Sequence, residues 1–142
     1  MRGDVRGERR GRAPDLQRGL FYRDPKRLVD RFADPDIEYI DPAEDIDPGN
    51  RRGRTEVMLA LRRSRQSFSM YRHELHELFD RGDTVVAAVC FHATIRRRGK
   101  NEDIREEEAH IWTFCDGKIA RFENGRNLKD ALEAVGLSAH SD

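Results

Sequence analysis

Three glycine-bearing turns between residues 70 and 124 constrain this chain more than any other feature. Arg81-Gly82-Asp83, Arg98-Gly99-Lys100-Asn101 and Asp116-Gly117 punctuate segments rich in β-branched and aromatic residues. The spacing predicts strands over Met70–Asp80, Thr84–Arg97, Ile104–Cys115 and Lys118–Asn124. Turns this short join only antiparallel neighbours, so the four strands form a meander. Asp116-Gly117 is the sharpest signal, because a two-residue hairpin turn needs positive φ at both central positions. Both faces of the longest strand are partly apolar: Val85, Ala87, Val89 and Phe91 on one, Val86, Ala88, Cys90 and His92 on the other. Helices are expected to cover one face and a second copy of the chain the other, making a homodimer through the sheet.

The helices flank this block. Residues 1–13 hold five arginines, three glycines and almost nothing apolar, and read as a mobile tail. Pro14 opens a short helix with Leu16, Leu20 and Phe21 as its apolar positions. Asp24-Pro25 starts another, with the stripe Leu28, Val29 and Phe32. Ile37–Ile40 reads as a strand closed by Asp41-Pro42, and residues 43–54, with Pro48-Gly49-Asn50 and Gly53, as a loop. Thr55 is expected to cap a helix to Phe68 that buries Val57, Met58, Leu61, Ser64 and Phe68. The last helix is the clearest. Asn127 caps it, Leu128, Ala131, Leu132 and Val135 form its stripe, and Gly136-Leu137 ends it. Strands segregated from helices define an α+β fold, a curved antiparallel sheet wrapped on N-terminal helices with a C-terminal helix. One domain is expected over 14–138, followed by a tail at 139–142.

Composition excludes several classes of function. The 142 residues carry 27 basic and 27 acidic side chains. Arg51-Arg52-Gly53-Arg54 and Arg96-Arg97-Arg98 are answered by Glu106-Glu107-Glu108 and the acids between Asp41 and Asp47, so ion pairs on a solvated surface are expected rather than a nucleic-acid partner. No apolar run approaches the roughly 20 residues of a membrane span, so no membrane partner is expected. Cys90 and Cys115 match no metal spacing and no disulfide framework, which fits a reduced, cytoplasmic setting. His73-Glu74-Leu75-His76-Glu77 fails the HExxH pattern, and on a strand His73 and His76 point to opposite faces. Asp45-Ile46-Asp47 lacks the rest of a calcium loop. No metal and no cofactor are therefore expected.

Three places carry candidate chemistry. Asp41, at a strand end beside Pro42, becomes a general base if burial desolvates it; the competing reading is a turn residue that starts the loop. His110 lies mid-strand on a face with Glu108, Trp112 and Phe114, placed to donate to an oxyanion or to take a proton, or else it is a satisfied core histidine. Counting outward from Asp116-Gly117 pairs Phe114 with Ile119, Trp112 with Arg121 and His110 with Glu123. Glu123 is therefore expected to orient His110, unless the two form only a structural ion pair. Asn124 follows on the same strand.

The stretches Phe32-Ala33-Asp34-Pro35-Asp36-Ile37-Glu38-Tyr39-Ile40-Asp41-Pro42, Arg52-Gly53-Arg54-Thr55-Glu56-Val57, Gly82-Asp83-Thr84-Val85-Val86, the run from His110 to Phe122, and the helix from Asp130 to Leu137 appear in one order. That series resembles the SnoaL-like polyketide-cyclase and ketosteroid-isomerase branch of the nuclear-transport-factor-2-like superfamily. The resemblance implies a cone-shaped α+β barrel, usually a homodimer, around an apolar pocket that works without a cofactor. It implies catalytic roles for Asp41 and His110, with His110 at the place of an acidic hydrogen-bond donor in the isomerases. Glu123 is added from the hairpin count, and Tyr39, Trp112, Phe114 and Asn124 as ligand contacts. The implied activity moves a proton next to a carbonyl in a small apolar ligand. The alternative is a non-catalytic module that binds a small molecule or a protein in the same cone. One departure stands out: the isomerases carry a tyrosine on a long first helix near the place of Leu16 here, and Tyr22 and Tyr39 are the tyrosines nearest that role.

Overall fold

The structure, a computed structural model, describes residues 24–41 and 49–137. The expected tails, the helix at Pro14 and Tyr22 lie outside them. Helix α1 (Pro25–Phe32) starts where the sequence places it. Asp24 accepts from the Arg27 N–H at 3.2 Å, and Pro25 occupies the first turn, where its missing N–H costs nothing. Strand β1 (Ala33–Asp41) follows directly. The region read as a loop contains a short strand, β2 (Gly49–Arg52), antiparallel to β1 with Tyr39 opposite Arg51. Its composition carries no strand signal; pairing with β1 makes it one.

Helix α2 (Arg54–Gln66) is capped two residues before the expected Thr55. Gly53, at φ 91°, takes the cap position, and its N–H donates to Ile37 O at 2.8 Å. The positive φ favours glycine there. Arg54 donates twice to Ala33 O, at 3.1 and 2.7 Å, pinning the helix to the start of β1. Val57 and Ala60 are its buried positions; Met58 and Leu61 pack at the margin of the core.

Strands β3 (Met70–Arg81), β4 (Thr84–Arg97), β5 (Lys100–Cys115) and β6 (Lys118–Arg126) form the expected meander. The six strands lie in the order β2-β1-β6-β5-β4-β3. One pair departs from the antiparallel expectation. β1 runs parallel to β6, with Tyr39 beside Phe122, because helix α2 and the whole meander separate them in sequence. The sheet remains open, with β2 and β3 at its edges, so the fold is a curved α+β cone rather than a closed barrel.

Helix α3 (Leu128–Ala134) is capped as expected, Asn127 Oδ1 accepting from Asp130 N–H at 2.8 Å. It ends in paired bonds, Leu137 N–H to Leu132 O at 2.7 Å and Gly136 N–H to Glu133 O at 3.1 Å, with Gly136 at φ 83°. Its position corrects the expectation that all helices share one face. α1 and α2 pack on the face carrying Val85, Ala87, Val89 and Trp112, hereafter the inner face. Ala131 and Leu132 of α3 pack on Val86, Ala109 and Ile111, the opposite parity. Part of the second apolar face is thus covered by the chain itself. The rest of that outer face is polar, with Arg72, Glu74, Arg105 and Glu107 exposed around buried Cys90.

Candidate active site on the inner face

The site is built where β1, β6, β5 and β3 present side chains to the inner face. Asp41, the last residue of β1, is 8% exposed, so the expected burial is present. Its charge is answered by a residue the sequence reading did not single out. Arg51 Nη1 donates to Asp41 Oδ2 at 3.0 Å, with both side chains at or below 10% exposure. The β1–β2 pairing puts Arg51 opposite Tyr39, and its guanidinium lies 5.9 Å from the Tyr39 ring centroid. Asn124 Nδ2 donates to Asp41 Oδ1 at 3.1 Å. A short polar loop hid this arrangement, because Arg51 reads as one of several surface arginines until β2 forms.

His110 is 1% exposed, and its Nε2 lies 3.0 Å from Glu108 Oε1. A carboxylate only accepts, so Nε2 carries the hydrogen in this pair. Here the hairpin count fails. Cys115 pairs with Lys118 and Phe114 with Ile119, as expected, but Thr113 then pairs with Arg121, Trp112 with Phe122 and Ile111 with Glu123. Ala120 is the extra residue of a bulge, and a one-residue slip reverses the face of everything beyond it. Glu123 therefore sits opposite Ile111 on the outer parity, 3.6 Å from Arg121, and does not orient His110. Phe122 and Asn124 turn inward instead. The carboxylate that does orient His110 is Glu108. The signal for it was present, since residues i and i+2 of one strand share a face.

Trp112, Phe122 and Tyr39 stack alongside, with Trp112–Phe122 and Tyr39–Phe122 centroids 4.4 and 5.0 Å apart. His110 packs edge-on to Phe122 at 5.1 Å, and Phe114 lies in the same core cluster as Trp112. On the other side His110 meets His73 of β3 at 5.6 Å between centroids, and His73 rests on Phe91 at 4.9 Å. His73 and His76 do diverge, His76 joining Glu74 at 3.3 Å on the outer side. Burial, and secondarily the neighbouring His110, push the His73 imidazole down to about 3. His73 is accordingly neutral near pH 7. The inner face thus offers a buried ion pair at one end, a histidine–carboxylate pair at the other, and aromatic rings between them.

An open curved sheet with two helices against its inner face and a third behind it is the nuclear-transport-factor-2-like architecture. The profile of the SnoaL-like domain family matches residues 18–122, and the chain belongs to that family. Among solved structures, a nuclear-transport-factor-2-like protein from Burkholderia thailandensis is 30% identical (80% of this chain, 85% of that one, TM-score 0.67). A hypothetical protein with a ketosteroid-isomerase-like fold from Catenulispora acidiphila, in complex with trimethylamine, is 15% identical (87% and 91%, TM-score 0.61). TerC, crystallised with polyporic acid, is 22% identical (82% and 90%, TM-score 0.62). No curated protein matches the sequence. Among the described residues no helix is long and apolar enough to cross a membrane.

Proposed function

We propose that the chain is an isomerase, cyclase or lyase that moves a proton next to a carbonyl of a small apolar ligand held against the inner face. The observation that carries this reading is the pairing of buried His110 with half-buried Glu108 on the apolar face that also holds Asp41. Glu108 fixes the tautomer and plane of His110, which leaves the ring ready to pass a proton to or from a bound oxygen. Asp41, its plane held by Arg51 and Asn124, is the second proton acceptor. Tyr39, Trp112 and Phe114 supply the walls. Asn124 Oδ1 is buried and takes no hydrogen bond among the described residues, so it suits a ligand hydroxyl. Base and acid both come from the protein, and the reaction class needs no organic cofactor. That two structural neighbours were crystallised with small organic molecules supports a small-molecule ligand.

The test is a screen of carbonyl compounds for thermal stabilisation, followed by turnover of the hits. Asp41→Asn and His110→Ala are each expected to lower turnover at least about 100-fold, the scale of acid–base catalysis, while circular dichroism stays native. Undiminished turnover in both variants overturns the proposal. The Asp41–Arg51 ion pair favours a second reading, a binding module whose ligand is held without conversion. It predicts full ligand stabilisation and no product. The uncovered outer half of β3–β5 is the proposed homodimer surface, expected to give twice the monomer mass in light scattering. The free thiols of Cys90 and Cys115 suit a reducing, cytoplasmic compartment.

A further inference from the structure

His73, Glu108 and His110 stand out when the side chains are grouped by chemistry rather than by sequence. Their donor atoms, one from each residue, all lie within 4.8 Å of one another. Glu108 and His110 come from one strand at i and i+2, and His73 arrives from β3 across β4. The sequence pattern paired His73 with His76, which the strand sends to the other face. The partner that matters is 37 residues away and reaches it only through the curvature of the sheet.

We propose that His73, Glu108 and His110 form a binding site for a divalent first-row transition ion, with zinc as the simplest occupant. Two imidazoles and one carboxylate are the donor set of His₂Glu catalytic zinc sites and of facial iron sites, and they leave coordination positions open. One of the three donor pairs already has coordination spacing. Ligand bonds of about 2.0–2.2 Å place neighbouring donors roughly 3.0–3.6 Å apart, from octahedral to tetrahedral geometry, and His110 Nε2 and Glu108 Oε1 are already 3.0 Å apart. On binding, the ion replaces the hydrogen at Nε2, and the neutral ring carries its hydrogen on Nδ1. His73 then closes the triad by rotating toward the pair. Phe91 and Phe122 flank the two rings and limit competing water. Donor sets of this kind leave positions for a ligand oxygen, so an ion bound there would polarise a carbonyl held against the same face. The ion and the His110–Glu108 hydrogen bond use the same two atoms, so the metal-loaded and proton-handling forms exclude one another; binding and turnover are measured separately, so either reading can fail alone.

A second cluster, Glu74, Cys90 and His92, lies on the outer face and makes a useful control. The purified chain, stripped with a chelator, is titrated with Co²⁺ and with Zn²⁺. One equivalent per chain is expected, with ligand-field bands but no thiolate-to-cobalt charge transfer. Glu108→Gln, which keeps shape, and His73→Asn should each weaken binding about 10-fold or more, whereas Cys90→Ser leaves it unchanged. Absence of binding to the native chain overturns the site. So does a thiolate band, or affinity lost with Cys90→Ser and kept in Glu108→Gln, which moves the ion to the outer cluster.

Discussion

His110 and Glu108, the proposed proton-handling pair, show how a single strand can carry both partners of a side-chain hydrogen bond. Two residues apart, they share the inner face, and the apolar walls strengthen their 3.0 Å contact by excluding water. Glu108→Gln should therefore reduce turnover on a substrate at least about tenfold with little change in fold, while Glu123→Gln, on the other side, leaves it intact; steady-state kinetics separate the two. Arg51 behaves differently. Arg51→Met leaves a buried carboxylate without its counter-charge, which costs about 3–5 kcal/mol and is read by urea denaturation. His73 sets an acid limit. Its folded value, about 3, lies below the ordinary 6.5, so the unfolded chain takes the proton first. Stability is full above about pH 6.5 and falls as pH drops toward 3, at up to about 1.4 kcal/mol per pH unit. With chelator present, His73→Asn should flatten that slope.

At the scale of elements, the ends of helix α3 and the bulge in β6 show opposite degrees of legibility. The α3 cap was readable because Asn127, the stripe and Gly136 are local rules, each satisfied by atoms within a few residues. Gly136→Ala should cost about 1 kcal/mol in thermal unfolding, since a Cβ at φ 83° is strained and meets Arg81 Nη2 at 3.0 Å. The bulge at Ala120 was not readable. Nothing in Ile119-Ala120-Arg121 announces it, and the hairpin turn specifies register only until the first irregularity. The bulge turns Phe122 and Asn124 inward, beside Tyr39 and Asp41. Deleting Ala120 should send both outward and abolish native circular dichroism.

For the whole molecule, the central sheet joins two apolar clusters, one under α1 and α2 and one under α3. Because Val85 and Val86 of one strand belong to different clusters, neither can loosen alone. Near- and far-ultraviolet circular dichroism should report one coincident unfolding transition. Leu78→Ala on the inner side and Leu132→Ala on the outer should each lower its midpoint, by about 2–5 kcal/mol in stability.

The meander and the stripes of α1 and α3 follow from the amino-acid order alone, because turns, periodicity and capping act over short separations; in α2 the expected stripe holds at Val57 but fails at exposed Ser64 and at Phe68, beyond the helix end. The resemblance of the ordered stretches to the family, and the candidacy of Asp41 and His110, are likewise legible before folding. The partners of those two residues are not. Arg51 reaches Asp41 only once β2 pairs with β1, and His73 reaches His110 only across a bent sheet. Glu123 loses its expected place to a single inserted residue. Contacts between distant strands depend on register and curvature, and those are settled by the packing of the folded molecule.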